Sequence, residues 1–114
     1  MAWFFRRKHQ RLTRLVSVRY FLDGIAGEAI IDGLSLSGSY MTGNIPVSVR
    51  MALALQIFVQ GDLEPLLIDR ATVIWVKRSE FGVDFDTPEP KVAERITTVI
   101  STLIKTQHDS FRYG

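Results

Sequence analysis

The chain has 114 residues, no cysteine and a formal charge of +2. That length fits one domain with a core of its own, and the lack of cysteine excludes disulfides and thiolate metal sites. The small net charge hides an asymmetry. Residues 1–22 carry Arg6, Arg7, Lys8, Arg11, Arg14 and Arg19 and no acidic residue, whereas the rest carries eight basic and twelve acidic side chains. A basic arm on an acidic body calls for an anionic partner: a nucleotide, a nucleic acid or a membrane surface.

Residues 1–13 read as a flexible basic arm. Its Trp3-Phe4-Phe5 run precedes the charges and is far too short for the apolar region of a secretory signal. Nothing in the chain reaches the roughly 18 apolar residues that a membrane span needs. The expectation is a soluble cytoplasmic protein, and the lack of cysteine fits a reducing compartment. The aromatic run reads as a hydrophobic cap on the body. The alternative is a foot on an anionic membrane surface, where aromatics beside Arg and Lys are favoured.

Residues 14–22 alternate as a strand, with Val16, Val18, Tyr20 and Leu22 on one face. Asp23-Gly24 is a turn signal, and Glu28 to Leu34 is a second, Ile-rich strand. Ser35 to Gly43 is dense in Ser and Gly, and Gly38 is expected at a positive φ. After Pro46, Val47, Val49, Met51, Leu53, Leu55 and Ile57 share a face, with Arg50 and Gln56 opposite. Gly61-Asp62 closes a hairpin. Leu66 to Lys77 has apolar residues on both faces, which places it centrally. Ser79 to Gly82 then turns into a short strand, Val83 to Phe85. Five or six strands with Gly-rich turns predict a mainly β fold, a small antiparallel barrel.

The period then changes. Thr87 is expected to cap a helix with Pro88 at its first position. Val92, Ile96, Val99, Ile100, Leu103 and Ile104 form one stripe at helical spacing, and Lys105 suits the negative end of the helix dipole. The stripe packs on the barrel or, alternatively, forms a dimer seam. Barrel and helix together span 14–107, and 108–114 is expected as a frayed tail.

The chemistry of catalysis is missing. His9 and His108 lie at opposite ends of the chain, without carboxylates at metal-ligand spacing. There is no nucleophile elbow, phosphate-loop lysine or HExxH. Asp84 and Asp86 read as solvated residues ahead of the helix, and no cleft constellation can be assembled. The chain is not expected to be an enzyme, to carry a cofactor or to bind a metal.

Two features remain: Arg7 with Arg11, reinforced by Arg6, and the stretch Gly33-Leu34-Ser35-Leu36-Ser37-Gly38. A guanidinium bonds a phosphate or the O6/N7 edge of guanine through two parallel N–H groups, and its flat face stacks on a base. Two arginines four apart on an arm can wrap a guanine nucleotide, and small Ser and Gly residues let the ligand approach the backbone.

These residues resemble the PilZ domain, the bacterial receptor module for cyclic di-GMP. Arg6-Arg7-Lys8-His9-Gln10-Arg11 matches the first family signature, two arginines separated by three residues with another Arg before them. The second signature is Asp or Asn, any residue, Ser, any two residues, Gly. Ser35 and Gly38 match it in register. A looser likeness lies in Val73-Ile74-Trp75-Val76 followed by Phe81-Gly82-Val83-Asp84-Phe85. The resemblance covers about residues 6–105. It implies a six-stranded antiparallel barrel with a C-terminal helix, the arginine arm folding over one face. Arg7 and Arg11 would contact guanine and phosphate, Arg6 would add a phosphate or stacking contact, and Ser35 and the backbone near Gly38 would line the barrel side. The implied function is a second-messenger switch of the kind tied to motility and biofilm formation, in which bound cyclic di-GMP orders the arm and reshapes a surface read by an effector protein. Monomer or weak dimer is expected, with no specific nucleic-acid target.

The departure is at Gly33, where the family has its acidic or amide side chain. Asp32 lies one residue early and would point to the opposite face of a regular strand; a bulge would bring it round. Gly33→Asp is expected to strengthen binding, unless Gly33 has a positive φ or Asp32 already fills the role. Three functions stay open: a cyclic di-GMP receptor, a degenerate PilZ-fold adaptor that binds a protein without the nucleotide, and a nucleic-acid binder. Trp75 reads as a core or groove residue rather than a stacking platform.

Overall fold

The computed structural model describes residues 4–6, 16–59, 61, 64–86 and 89–112, with 4–6 and 105–112 described by their backbone alone. The elements are β1 (Phe4–Arg6), β2 (Val16–Leu22), β3 (Ile25–Ser35), β4 (Gly38–Gly43), β5 (Ala52–Val59), β6 (Leu66–Lys77), β7 (Glu80–Phe85) and α1 (Pro90–Arg112). Strands β3, β2, β5, β6, β7 and β4 pair antiparallel in that order, and β4 pairs back onto β3. The six strands thus close into a barrel with a C-terminal helix, as expected, and no ring strand is left with an open edge. β1 lies outside the ring and pairs only with β3, so Phe4–Arg6, within the stretch read as an arm, is a strand.

Alternation builds the interior. Val16, Val18, Tyr20 and Leu22 of β2, Leu53, Leu55, Ile57 and Val59 of β5, and Phe81, Val83 and Phe85 of β7 all point inward and are buried. Ile96, Val99, Ile100 and Leu103 of α1 join the same core, so the helical stripe packs on the barrel. Ile104, at the stripe's margin, is exposed.

Tyr20 is fully buried and meets Phe81 edge to face at 5.2 Å. Its hydroxyl donates to the Ile45 carbonyl (2.6 Å) and accepts from the Ile45 amide (2.7 Å). Both polar capacities of the phenol are therefore met inside the protein. Burial pushes the Tyr20 phenol above its usual pKa, and the bond to the Ile45 backbone partly offsets this. Gly43 exists here for space, because a Cβ would sit 2.5 Å from the Tyr20 hydroxyl oxygen.

Several expectations are corrected. Gly38–Gly43, within the stretch read only as dense in Ser and Gly, is a strand held on both edges by β3 and β7. Gly38 does not have a positive φ; among the glycines Gly24 and Gly61 do. The run after Pro46 enters β5 only at Ala52, because Arg50 takes φ 79° in a turn and Val49 is exposed. β6 is flanked on both edges, but it is not covered throughout: Leu67, Ile74, Trp75 and Val76 are exposed. The helix begins at Pro90 rather than Pro88; the device is the one expected, two residues later. Residues 87 and 88 lie outside the described residues. The helical backbone runs on to Arg112, beyond the end expected at 107.

Candidate ligand-binding site

The two motifs lie more than twenty residues apart in sequence, and strand register decides what comes beside the second of them. β1 pairs with the end of β3 as Phe4↔Ser35, Phe5↔Leu34 and Arg6↔Gly33. Arg6, the first residue of the arginine motif, is thereby held by main-chain pairing beside Gly33, the position where the second motif departs from its pattern. Arg7 and Arg11 lie outside the described residues.

The second motif is shaped by a bulge. Ile31 pairs with Met41 and Gly33 with Tyr40, so Asp32 is the extra residue. Ile31 and Leu34 are both buried in the core. With those two inward, Asp32 and Gly33 both lie on the outer side, together with half-buried Ser35. The strand is not regular here, and Asp32 shares the face of the motif rather than the opposite one. Its Oδ2 accepts a 2.7 Å hydrogen bond from the Thr42 hydroxyl.

Gly33 is buried because Tyr40 covers it. A Cβ at Gly33 would overlap the Tyr40 ring, with Cζ only 2.6 Å away. Gly33 is not among the residues of positive φ, so the glycine is there for the ring, not for backbone freedom. Tyr40 also leans on Trp75, ring centroids 6.4 Å apart at 41°. Below them, the Ser39 hydroxyl donates to the Gly33 carbonyl (2.7 Å) in a buried position, tying β4 to β3 at the motif. The Ser35 hydroxyl donates to the Gly38 carbonyl at 3.3 Å and lies 3.4 Å from the Ser37 hydroxyl.

Gly38 permits a close approach of chains. A Cβ there would run into the Val83 carbonyl oxygen of β7. Gly33, Ser35, Ser37, Gly38, Tyr40 and Trp75 line one shallow pocket of about 180 Å³, with Ile74, Val83 and Asp84. Of the predicted residues, Gly33, Ser35 and Gly38 are thus brought together, and Asp32 lies just outside the lining. Tyr40 was missed from sequence because its Ser- and Gly-dense stretch was not read as a strand. Trp75 is a groove residue, 37% exposed; the second bulge, between Val73 and Trp75 on β6, sets its direction.

Asp84 is the charged side chain among the described residues that line this pocket. A larger concavity of about 660 Å³ lies elsewhere on the outer sheet, over Arg19, Glu28, Ile30 and Phe58. It holds an exposed 3.9 Å Arg19–Glu28 pair and none of the motif residues. Among the described residues no three of His, Cys, Asp and Glu come together to hold a metal, and no helix is long and apolar enough to cross a membrane.

No protein-family model matches the chain, and no curated protein does. Solved structures do. The chain is similar to YcgR in complex with c-di-GMP from Escherichia coli, with TM-score 0.75, 13% identity, and coverage of 98% of this chain and 49% of that one. It is also similar to the PilZ domain of CeSA from a cellulose-synthesizing bacterium, with TM-score 0.62, 14% identity, and coverage of 80% of this chain and 94% of that one. The chain spans about half the length of the YcgR chain and nearly all of the CeSA domain. Closed barrel, strand order and C-terminal helix agree with these structures over most of the chain: it folds as a PilZ-like domain.

Proposed function

We propose that the chain is a cyclic di-GMP receptor that binds the nucleotide between the arginine motif and the pocket at the β3–β4 turn. The observation that carries this reading is the β1–β3 register, which sets Arg6 opposite Gly33. The first residue of the cationic motif thus lies beside a small, polar motif more than twenty residues away in sequence. Arg7 and Arg11 would fork onto phosphate and guanine, with Arg6 beside them. Ser35 and the backbone at Gly38 would form the floor, and Asp32 would stand at the edge. The likeness to a protein solved with c-di-GMP bound supports the same reading. The receptor acts by binding, not by catalysis, and relays the second messenger to an effector protein in the cytoplasm, as a monomer or weak dimer.

Titration calorimetry with cyclic di-GMP tests this. Saturable heat is expected, and Arg7→Ala or Arg11→Ala should each weaken binding by about 1.5–3 kcal/mol, the range for hydrogen bonds to charged groups. No heat and no NMR shifts at high nucleotide excess would leave the adaptor reading. Gly33 favours that second reading, because it supplies no side chain to the ligand.

A further inference from the structure

The absence of a side chain at position 33 has a structural counterpart one strand away. Gly33 and Tyr40 are directly paired across β3 and β4. The volume that a side chain at 33 would fill holds the Tyr40 ring, whose Cζ lies 2.6 Å from the Cβ position of that side chain. The phenol oxygen is one bond beyond Cζ, so the hydroxyl belongs to the same ring that occupies this space. A phenol both donates and accepts hydrogen bonds, so it can serve in place of a carboxylate, which accepts, or of an amide, which does both. The ring is also a lining member of the pocket and is braced by Trp75.

We propose that Tyr40 replaces the missing side chain at position 33 and makes the polar contact to the guanine nucleotide in its stead. Gly33 and Tyr40 are then one functional unit, a glycine that vacates space and a tyrosine that reaches into it. The proposal rests on the receptor reading above. It reverses the expected outcome of Gly33→Asp: the new side chain meets the Tyr40 ring and displaces the group that does the work.

Calorimetry with cyclic di-GMP on the full chain and on Tyr40→Phe, Gly33→Asp and the double variant Gly33→Asp with Tyr40→Ala tests the assignment. Tyr40→Phe keeps the ring, the Trp75 contact and hence the fold, and removes only the hydroxyl. It should weaken binding by roughly threefold to tenfold, the value of one hydrogen bond. Gly33→Asp alone should also weaken binding, and the double variant should bind more tightly than Gly33→Asp alone. Wild-type affinity in Tyr40→Phe, or tighter binding in Gly33→Asp with Tyr40 in place, overturns the role of Tyr40 and leaves the receptor reading standing. Absence of binding by the wild-type chain overturns both.

Discussion

Gly38 offers a clean separation of two reasons for a glycine. Its backbone is extended within β4, and what excludes a side chain is β7: a Cβ would overlap the Val83 carbonyl oxygen, with the Val83 carbonyl carbon at 3.3 Å and the Asp84 Cα at 3.4 Å. These are backbone atoms and cannot swing aside. Gly38→Ala must therefore push β4 and β7 apart at the Gly38↔Asp84 pair, at an overpacking cost of about 1–3 kcal/mol. The adjoining 2.8 Å bond from the Phe85 amide to the Ser37 carbonyl would loosen with it, adding about 0.5–1.5 kcal/mol. A total near 2–4 kcal/mol corresponds to a drop in melting temperature of roughly 8–16 °C for a domain of this size. Thermal unfolding followed by circular dichroism reads it without reference to any ligand. Gly38→Asn, being larger, should be at least as damaging. Asn is tolerated where the left-handed conformation is the reason for a glycine, and Gly24, at φ +79° with nothing within 4 Å of its Cβ position, supplies the contrast: Gly24→Asn should be milder than Gly24→Ala. If Gly38→Ala melts within about 2 °C of wild type, or Gly38→Asn is milder than Gly38→Ala, the close-approach reasoning is refuted.

Two further outcomes are expected. Tyr20→Phe should cost about 1–3 kcal/mol in urea unfolding, because it strips both bonds from the Ile45 backbone. Burial raises the Tyr20 phenol in the native state above its ordinary value of 10.0, so the stabilisation it contributes is whole below that value and is lost as pH rises through the native pKa. The wild-type urea midpoint should fall above pH 10 more steeply than that of Tyr20→Phe, and parallel pH profiles would count against it. Finally, fluorescence anisotropy with a random DNA duplex should show weak binding that falls with salt, since the body outside residues 1–22 carries more acidic than basic side chains; tight binding at physiological salt would make the nucleic-acid reading the leading one.

The barrel was legible wherever a strand buries every second residue, as β2 and β5 do. β4 was not, because Gly-Ser-Tyr-Met-Thr-Gly buries one large apolar side chain, Met41. What makes it a strand is the pairing offered by β3 and β7, which is a property of the neighbours and not of the segment. The bulge at Asp32 was foreseen only as an alternative, and the register shifts between Leu53 and Leu55 and between Val73 and Trp75 not at all, for a related reason. One extra residue shifts a period of two by a single step, and at Asp32 and between Val73 and Trp75 the sequence on either side reads smoothly in either phase. The site followed the same division. Ser35 and Gly38 could be found by spacing along the chain, whereas Tyr40 is defined by a cross-strand register. The arginine motif was legible as a motif, but the placement of its first residue, Arg6, beside Gly33 comes from the three residues of β1.

That placement changes the thermodynamic character of the arginine segment. β1 ends with Arg6 opposite Gly33, and β2 begins its pairing with Ser17 opposite Ile30. Arg6 and Ser17 are therefore held on the same edge of β3, at partners only three residues apart, or about 10 Å at the usual strand rise. A tail with a free end loses its whole conformational freedom when a ligand gathers it in. A segment closed at both ends has met part of that cost in folding, and closure entropy grows only slowly with length, by about 0.6 kcal/mol for each doubling. Adding a few glycines between Arg11 and Val16 should therefore weaken nucleotide binding only slightly, whereas cutting β1 away would turn the closed segment into an open one and weaken it far more.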